Sequence, residues 1–250
     1  VKRYKKALLE QEPIEFEEYF NNRWYEIRAF PSKEGLTVFF RDITQQKQEH
    51  QKMNYLANYD ILTGIPNRFN FNQYLNQKLS SHLGSIAVLF IDMNNFKKVN
   101  EIYGHEIGDL LLKQITERLK NKVKPFGFIC RYSGDDFLIA LENLTESEIS
   151  STTLQIIKSF SSPFFVKGYE MKISLSIGIS QFPKDGQSVE LLIKHANVAM
   201  YQAKKEGRNK FKFYFYDENK VRVDPLKIEI ELHKAIELNQ LLLHYQPKIN

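Results

Sequence analysis

A short strand–turn–strand segment in the middle of the chain constrains its fold more than any other feature. Residues 128–130 and 137–141 are apolar and rich in strand-forming side chains, and residues 133–136, Ser-Gly-Asp-Asp, lie between them. This pattern predicts a β-hairpin with two adjacent carboxylates, Asp135 and Asp136. Like charges at this distance need a positive partner, and a divalent cation is the usual one. A solvated turn is the alternative, because Gly and Asp are common in turns.

A third carboxylate follows the most apolar strand of the sequence. Residues 86–91 read as a buried strand, and Asp92 comes directly after them. If this strand neighbours the hairpin, Asp92 converges with Asp135 and Asp136 into an oxygen-rich site suited to Mg²⁺. Such sites clamp a triphosphate and activate an attacking hydroxyl in phosphoryl or nucleotidyl transfer.

Polar residues elsewhere have the chemistry that a nucleotide needs. Lys97 lies in a turn that opens into a helix, where backbone N–H groups favour phosphate. The amide of Asn100 and the carboxylate of Asp109 match the hydrogen-bonding edge of guanine. Lys204 and Arg208 are four residues apart at a helix end and can reach phosphates. An Asn-rich turn and a favourable helix C-terminus explain the same cations without a ligand.

Composition narrows the class of protein. The 250 residues are 42% hydrophobic and 13% aromatic, which is enough for a real core. A net charge of +5, spread along the chain, fits a phosphorylated ligand, and we expect no nucleic-acid partner. The single cysteine, Cys130, excludes a disulfide framework and a cysteine-rich zinc site. No apolar run approaches the roughly 18 residues that span a bilayer, so we expect no membrane span and a cytoplasmic location.

Pattern and turn residues divide the chain into four segments: 1–43, 44–58, 59–216 and 217–250. The first contains two strands, over 23–30 and 36–41, with no evident partner strand; the second is a polar helix. The last contains a helix over 226–238 and a strand over 241–247. Helices and strands mix around an antiparallel hairpin in the third segment, which predicts an α+β fold, a mixed α/β sandwich. In that segment we predict helices over 69–79, 108–120, 145–160 and 188–206, and further strands over 85–92, 171–180 and 211–216.

Six separated stretches fit one family pattern. They are residues 60–68 (DILTGIPNR), 90–100 (FIDMNNFKKVN), 104–109 (GHEIGD), 131–137 (RYSGDDF), 176–179 (SIGI) and 200–209 (MYQAKKEGRN). In order and spacing, the chain resembles the GGDEF-domain family, the diguanylate cyclases, over about residues 58–216. The resemblance implies a fold like the palm of nucleotide cyclases and polymerases. It also implies condensation of two GTP molecules into cyclic di-GMP, with the active site formed between two subunits of a homodimer.

The resemblance assigns roles to individual residues. Asp92 and Asp135 match the carboxylates that bind Mg²⁺ (or Mn²⁺), Asp135 also matches the proposed catalytic base, and Asp136 stands at a second acidic position. The substrate-binding positions are the guanine readers Asn100 and Asp109, the phosphate contacts Lys97, Lys204 and Arg208, and Gly134, where the backbone approaches the substrate.

The chain departs from the family pattern at four places. Ser133 replaces the first glycine of Gly-Gly-Asp/Glu-Glu-Phe, Asp136 replaces the longer glutamate, and Asn94 replaces an acidic residue. The product-inhibition motif, Arg-x-x-Asp, falls on Lys-Pro-Phe-Gly at 124–127, so we expect that feedback site to be missing. Three hypotheses follow: an active cyclase, a non-catalytic GTP-binding regulator, and a purely structural dimerisation module.

The flanking segments resemble signalling modules. Residues 1–43 resemble the last strands of a PAS sensor, and 44–58 form its helical linker. Residues 217–250, especially 243–248, resemble the start of an EAL phosphodiesterase domain. The catalytic carboxylates of such a domain are not in this sequence, so we expect no hydrolysis of cyclic di-GMP by it.

Overall fold

The computed structural model describes residues 2–81, 84–123 and 127–215, together with Ala235, Ile236, Leu238 and Gln240. The chain divides into two compact units, Val1–Tyr214 and Phe215–Asn250. Most of the second unit, with the helix over 226–238 and the strand over 241–247 that the sequence predicts, lies outside the described residues. The same holds for residues 124–126 of the product-inhibition position.

The N-terminal segment is an antiparallel sheet with a helix on it. Helix α1 (Lys2–Glu10) precedes strands β1 (Ile14–Phe20), β2 (Arg23–Ser32) and β3 (Gly35–Asp42), in the order β1-β2-β3. The two predicted strands are confirmed as β2 and β3. The expectation that they lack a partner strand was wrong, because β1 pairs along the whole of residues 23–29. Three glutamates among its seven residues hide the alternation of Ile14, Phe16 and Phe20 on one face.

A polar helix connects this sheet to the main domain. Helix α2 (Thr44–Asn58) begins where Asp42 Oδ1 accepts a hydrogen bond from the Thr44 amide at 2.9 Å. Every residue of α2 is at least partly exposed, as its sparse apolar content predicts. Within the part of the chain that the structure describes, every helix is too short or too polar to cross a membrane.

The main domain is a five-stranded sheet between two layers of helices, which confirms the predicted α+β class. The strand order is β10-β9-β4-β6-β5, antiparallel except for the pair β10–β9. A separate hairpin, β7–β8, completes the domain. The elements are α3 (Arg68–Ser80), β4 (Ile86–Asn94), α4 (Phe96–Tyr103), α5 (His105–Val123), β5 (Gly127–Ser133), β6 (Asp136–Glu142), α6 (Glu146–Ser159), β7 (Phe164–Val166), β8 (Tyr169–Met171), β9 (Ser174–Phe182), α7 (Val189–Lys205) and β10 (Lys210–Phe213).

The central strand β4 is apolar throughout because both of its faces are buried. Leu89 and Ile91 pack in one core cluster with α5 and α6, whereas Val88 and Phe90 pack in another with α3 and α7. Because side chains alternate along a strand, Asp92 falls on the same face as Phe90, toward α3 and α7. The buried run predicted over 85–92 is therefore the strand that presents Asp92.

Sequence pattern located one of two short elements, without its bounds, and missed the other. After Asp92 the sequence predicts a turn that opens into a helix, and this helix is α4, which ends at Gly104 with a φ of 83° before α5 begins. The hairpin β7–β8 has three residues in each strand, and the predicted strand over 171–180 is divided between β8 and β9. Three-residue strands carry too little periodicity to be recognised.

Strand β9 and helix α7 pack in unusually close contact at Gly178. A Cβ atom at this position would overlap the backbone of Ala196 and Met200 on α7. Only glycine allows this approach, and the approach brings the C-terminal end of α7 to the edge of the sheet where β4 ends.

We expect Gly178→Ala to destabilise the domain by about 1–3 kcal/mol, because an added methyl group must separate β9 from α7. Urea unfolding followed by circular dichroism measures the change. Gly186→Ala is the matched control, since its Cβ would meet only the side chain of Leu191, which can shift. Equal stability of the two variants would contradict the packing argument.

Candidate active site

The end of strand β4 is linked to helix α7 by an ion pair. Lys204 Nζ donates to both carboxylate oxygens of Asp92, at 2.7 Å and 2.9 Å. The Asp92 side chain is 15% exposed, so the pair lies at the border of the core and solvent. Two residues 112 positions apart, both predicted site residues, are thereby brought together.

The signature hairpin lies beside Asp92, as the sequence predicts. Strand β4 pairs with β6, and the last pair in register is Ile91 with Phe137. Asp92 is the next residue of β4 and therefore lies beside Asp136, the first residue of β6. Gly134 turns the chain with a φ of 47°, a conformation that a glycine adopts without strain.

An arginine holds the turn from the other side. Arg131 Nε donates to the carbonyl oxygen of Gly134 at 2.8 Å, and its Nη1 donates to Asp60 at 3.1 Å and 3.2 Å. Asp60 also accepts from the Thr63 amide at 2.9 Å and from the Thr63 hydroxyl at 2.6 Å. Burial opposes ionisation of Asp60, but the hydrogen bonds from Thr63 and the Arg131 guanidinium hold its pKa below its ordinary value.

The serine that departs from the family signature makes its own contact. Ser133 Oγ donates to Asp136 Oδ2 at 3.2 Å. A glycine in this place has no hydroxyl and makes no such bond. Ser133 is exposed, so its side chain stands on the surface of the turn rather than inside it.

Burial and neighbouring charge raise the pKa of two of the three carboxylates. Burial raises the pKa of Asp135, and the charge of Asp92 adds to it, while Lys204 and Arg131 act against it. Burial raises the pKa of Asp136 to about 6, with the charge of Asp135 as the next cause and the Ser133 hydroxyl opposing. The site thus carries more negative charge than its own cations neutralise.

A divalent cation fits this donor set. Across the described ranges, no three His, Cys, Asp or Glu side chains are arranged to hold a metal by themselves. Asp92, Asp135 and Asp136 therefore do not form a closed three-carboxylate cage. Mg²⁺ usually binds through one or two carboxylates and completes its shell with water and substrate phosphates, so an open set of hard oxygens at one sheet edge suits it.

The two predicted guanine readers lie on either side of one turn. Asn100 is in the last turn of α4, and Asp109 is exposed in the second turn of α5. A Cβ atom on Gly108 would overlap Asn100 Oδ1, so this amide lies directly against the backbone that precedes Asp109. The glycine therefore brings the amide and the carboxylate to one place.

The unpredicted hairpin β7–β8 contacts this turn. The rings of Tyr169 and Tyr103 lie 5.1 Å apart, and Lys167 forms an ion pair with Glu106. The sequence offered no signal for these contacts, because Tyr169 and Lys167 belong to no recognisable motif.

The other two predicted phosphate contacts differ in their surroundings. Arg208 Nη2 lies 3.4 Å from Asn95 Oδ1, in the tight turn between β4 and α4, where Asn95 has a φ of 65°. Lys97 is 90% exposed on α4, with its ammonium 3.8 Å from Glu101. Arg208 therefore lies at the same edge of the sheet as Asp92, whereas Lys97 extends into solvent.

Asn94, the amide at a commonly acidic position, is buried against β9. Its Oδ1 accepts from Ser176 Oγ at 3.1 Å, and its exposed fraction is 4%. A carboxylate at this position would add a fourth negative charge near Asp92, so the amide limits the charge of the site.

In metal-free buffer at pH 8, we expect Asp136→Asn to stabilise the chain by about 1 kcal/mol, after allowance for solvent screening. The pKa of Asp136 is about 6 in the folded chain and about 4 in the unfolded chain. The folded state therefore binds more protons between these values, and wild-type stability falls as the pH rises through them. The gain should vanish near pH 4, as thermal unfolding with EDTA across the pH range can measure.

Asp60→Asn is the control, for which we expect a change in stability of the opposite sign. Because the folded pKa of Asp60 is lowered, its contribution is present at neutral pH and is lost on acidification. This variant should be less stable than wild type at pH 8 and equal to it in acid. A loss of stability at pH 8 in both variants would show that the Asp136 carboxylate is not under electrostatic strain.

Comparisons with known proteins identify the family of this chain. Residues 57–210 match the family model described as diguanylate cyclase, GGDEF domain. Over 82% of its length the chain is 36% identical to the bifunctional diguanylate cyclase/cyclic di-GMP phosphodiesterase MucR of Pseudomonas aeruginosa, covering 30% of that protein. It is 35% identical over 83% of its length to the cyclic di-GMP phosphodiesterase PdeR of Escherichia coli, covering 32% of it.

A solved structure shares the fold. The GGDEF domain of YfiN (TpbB) from Pseudomonas aeruginosa superposes with a TM-score of 0.60 at 31% identity, covering 62% of this chain and 99% of that one. The chain spans about a third of the length of the curated relatives it matches. The sequence motifs, the sheet order and these comparisons agree: the chain belongs to the GGDEF-domain, or diguanylate cyclase, family.

Proposed function

We propose that this chain condenses two GTP molecules into cyclic di-GMP with Mg²⁺ (or Mn²⁺). The observation that carries this proposal is the electrostatic conflict among Asp92, Asp135 and Asp136 beside Lys204, at the edge where β4 meets the signature hairpin. A divalent cation that binds together with a triphosphate reduces this repulsion, because its positive charge lies between the carboxylates and the phosphates.

The acidic residues have two roles in the proposal. Asp92, Asp135 and Asp136 would hold the cation. When bound, the cation neutralises phosphate charge and lowers the pKa of an attacking hydroxyl. The Asp135 carboxylate is the proposed base that accepts the proton of a ribose 3′-hydroxyl.

The substrate is held at two ends. At the guanine end, the Asp109 carboxylate accepts from the ring N–H and the exocyclic amine, and the Asn100 amide contacts the remaining edge. At the phosphate end, Lys204, Arg208 and Lys97 supply positive charge, and the backbone at Gly134 lies against the substrate.

Two copies of the chain are needed for the reaction. One copy positions the 3′-hydroxyl of its GTP for in-line attack on the α-phosphate of the GTP in the other copy, and pyrophosphate leaves. The homodimer is therefore part of the proposed mechanism, and activity should rise steeply with protein concentration.

A second candidate is a GTP-binding domain without turnover. Ser133 and the shortened Asp136 alter the signature, and one relative, PdeR, is named only as a phosphodiesterase. In this version the domain regulates an EAL phosphodiesterase attached after residue 217, and a PAS-like sensor before residue 44 controls it. Both candidates place the protein in cytoplasmic signalling through cyclic di-GMP.

Incubation with GTP and Mg²⁺ over a range of protein concentrations, with the product identified by mass spectrometry, separates the candidates. We expect cyclic di-GMP from the wild type and at least about 100-fold less from Asp135→Asn, which removes the proposed base. Saturable GTP binding without product at every concentration would favour the regulatory candidate. Absence of GTP binding would reject both.

We also expect Gly108→Ala to weaken GTP binding about 10-fold, the worth of one hydrogen bond, because the new methyl group displaces the Asn100 amide. ATP binding should change little, since the displaced amide reads guanine. Calorimetric titration with both nucleotides measures this ratio, and Gly186→Ala is the control. An equal loss for GTP and ATP would point to unfolding rather than to lost recognition.

A further inference from the structure

A cavity lined by both polar and aromatic residues lies on the flank of the signature hairpin that faces helix α3. Its volume is about 570 Å³, within the range of small-molecule sites. Of the residues proposed to bind GTP, Gly134 lines it, together with the neighbouring Ser133, whereas Asp92, Asn100 and Asp109 do not. A second cavity of about 260 Å³ shares Arg68, Asn72 and Tyr132 with it. Together they form one groove beside α3, which we call the α3 groove.

Arg68 gives the α3 groove an uncompensated positive charge. Its guanidinium lies 4.8 Å from the centre of the Tyr132 ring. Within the described residues it has no hydrogen-bond or carboxylate partner, whereas the neighbouring Arg131 is bound to Asp60. A guanidinium held on an aromatic ring with its N–H groups free is arranged to receive a phosphate.

Asn72, one helical turn after Arg68, presents an unsatisfied acceptor. Its Oδ1 is buried and has no hydrogen-bond donor in the described structure. Burial of an amide oxygen without a donor is unfavourable, so such an atom calls for an explanation. A ligand that brings a hydroxyl or amino group to this oxygen supplies one.

An exposed aromatic ring completes the set. Phe69 is 55% exposed at the rim of the larger cavity. An exposed ring is a platform for stacking a base. Lys194 lines the smaller cavity and, in the part of the chain described, has no carboxylate partner; one carboxylate, Glu190, lines it as well. A nucleotide supplies a partner for each of these groups: a phosphate, a hydroxyl or amino donor on its sugar or base, and a flat base.

We propose that the α3 groove is a second nucleotide site, separate from the one at Asp92 and Asp109. Arg68 binds a phosphate, Asn72 Oδ1 accepts from a sugar hydroxyl or base amine, and Phe69 stacks with the base. The nucleotide is either free in solution or held by a second copy whose signature hairpin faces this one. Binding of a nucleotide held by a second copy rests on the proposed function, whereas binding of free nucleotide does not.

The first experiment measures Mg²⁺·GTP binding by calorimetry in the Asp109→Ala background, where the guanine contact of the first site is removed. If the groove takes free nucleotide, residual binding remains and weakens about 10-fold when Arg68→Ala is added. Arg41→Ala, an arginine on the N-terminal sheet with a 71% exposed side chain, is the matched control and should leave binding unchanged.

If the groove takes the nucleotide of a facing copy, the result differs. The Asp109→Ala background then shows no residual binding. Arg68→Ala alone keeps the GTP affinity of dilute protein but lowers turnover about 10-fold at high protein concentration. If the wild type lacks turnover, the proposed function fails, while the calorimetric arm still decides whether the groove binds free nucleotide.

The second experiment uses Asn72→Leu, a change of similar size that removes the unsatisfied acceptor. We expect the ligand-free protein to melt about 2–4 °C higher, and nucleotide binding at the groove or concentration-dependent turnover to fall. A residue with a merely structural role would not raise stability and lower function together. The proposal is overturned if Arg68→Ala matches Arg41→Ala in binding and turnover and Asn72→Leu leaves both unchanged.

Discussion

The repulsion among three carboxylates at one edge of the sheet is the constraint on which the rest of the domain depends. Asp92 comes from the central strand and Asp135 and Asp136 from the adjacent hairpin, and burial strengthens their repulsion because it removes water. Lys204 is the cation in direct contact with Asp92, and it reaches Asp92 only because Gly178 lets α7 pack tightly on β9. The packing of the core thus determines the charge of the site.

The same turn is connected to the helix that enters the domain. The Arg131 amide donates to the carbonyl of Pro66 at 3.0 Å, and Asn67 donates to the carbonyls of Asn58 and Ala57 at the end of α2, both at 2.9 Å. With the bond from Arg131 to Gly134, an unbroken series of hydrogen bonds runs from α2 to the signature turn. The signature turn is therefore anchored to the end of α2 through Asn67 and Arg131.

Periodicity predicted the elements that carry most of the site. Strand β4, the hairpin and α7 are long and apolar on their buried faces, so sequence alone located them. The short β7–β8 hairpin and β1 were missed, since three residues or a glutamate-rich run carry little pattern. The bond between Arg131 and Asp60 joins residues 71 positions apart, and only the fold reveals such a pair. The strand pattern suggested that Asp92 converges with Asp135 and Asp136, whereas Lys204 and Arg208 were joined to them by resemblance to a family.

The two changes in the signature act on each other. Asp136 has one methylene group fewer than glutamate, so its carboxylate lies nearer the backbone of the turn. There the Ser133 hydroxyl reaches it at 3.2 Å and opposes the rise in its pKa. The serine thus stabilises the charge of the shortened acid, which a glycine cannot do. Groups in contact contribute non-additively, so the effect of either change depends on the other. The altered signature is therefore a coupled pair, in which the hydroxyl partly offsets the repulsion that Asp135 imposes on Asp136.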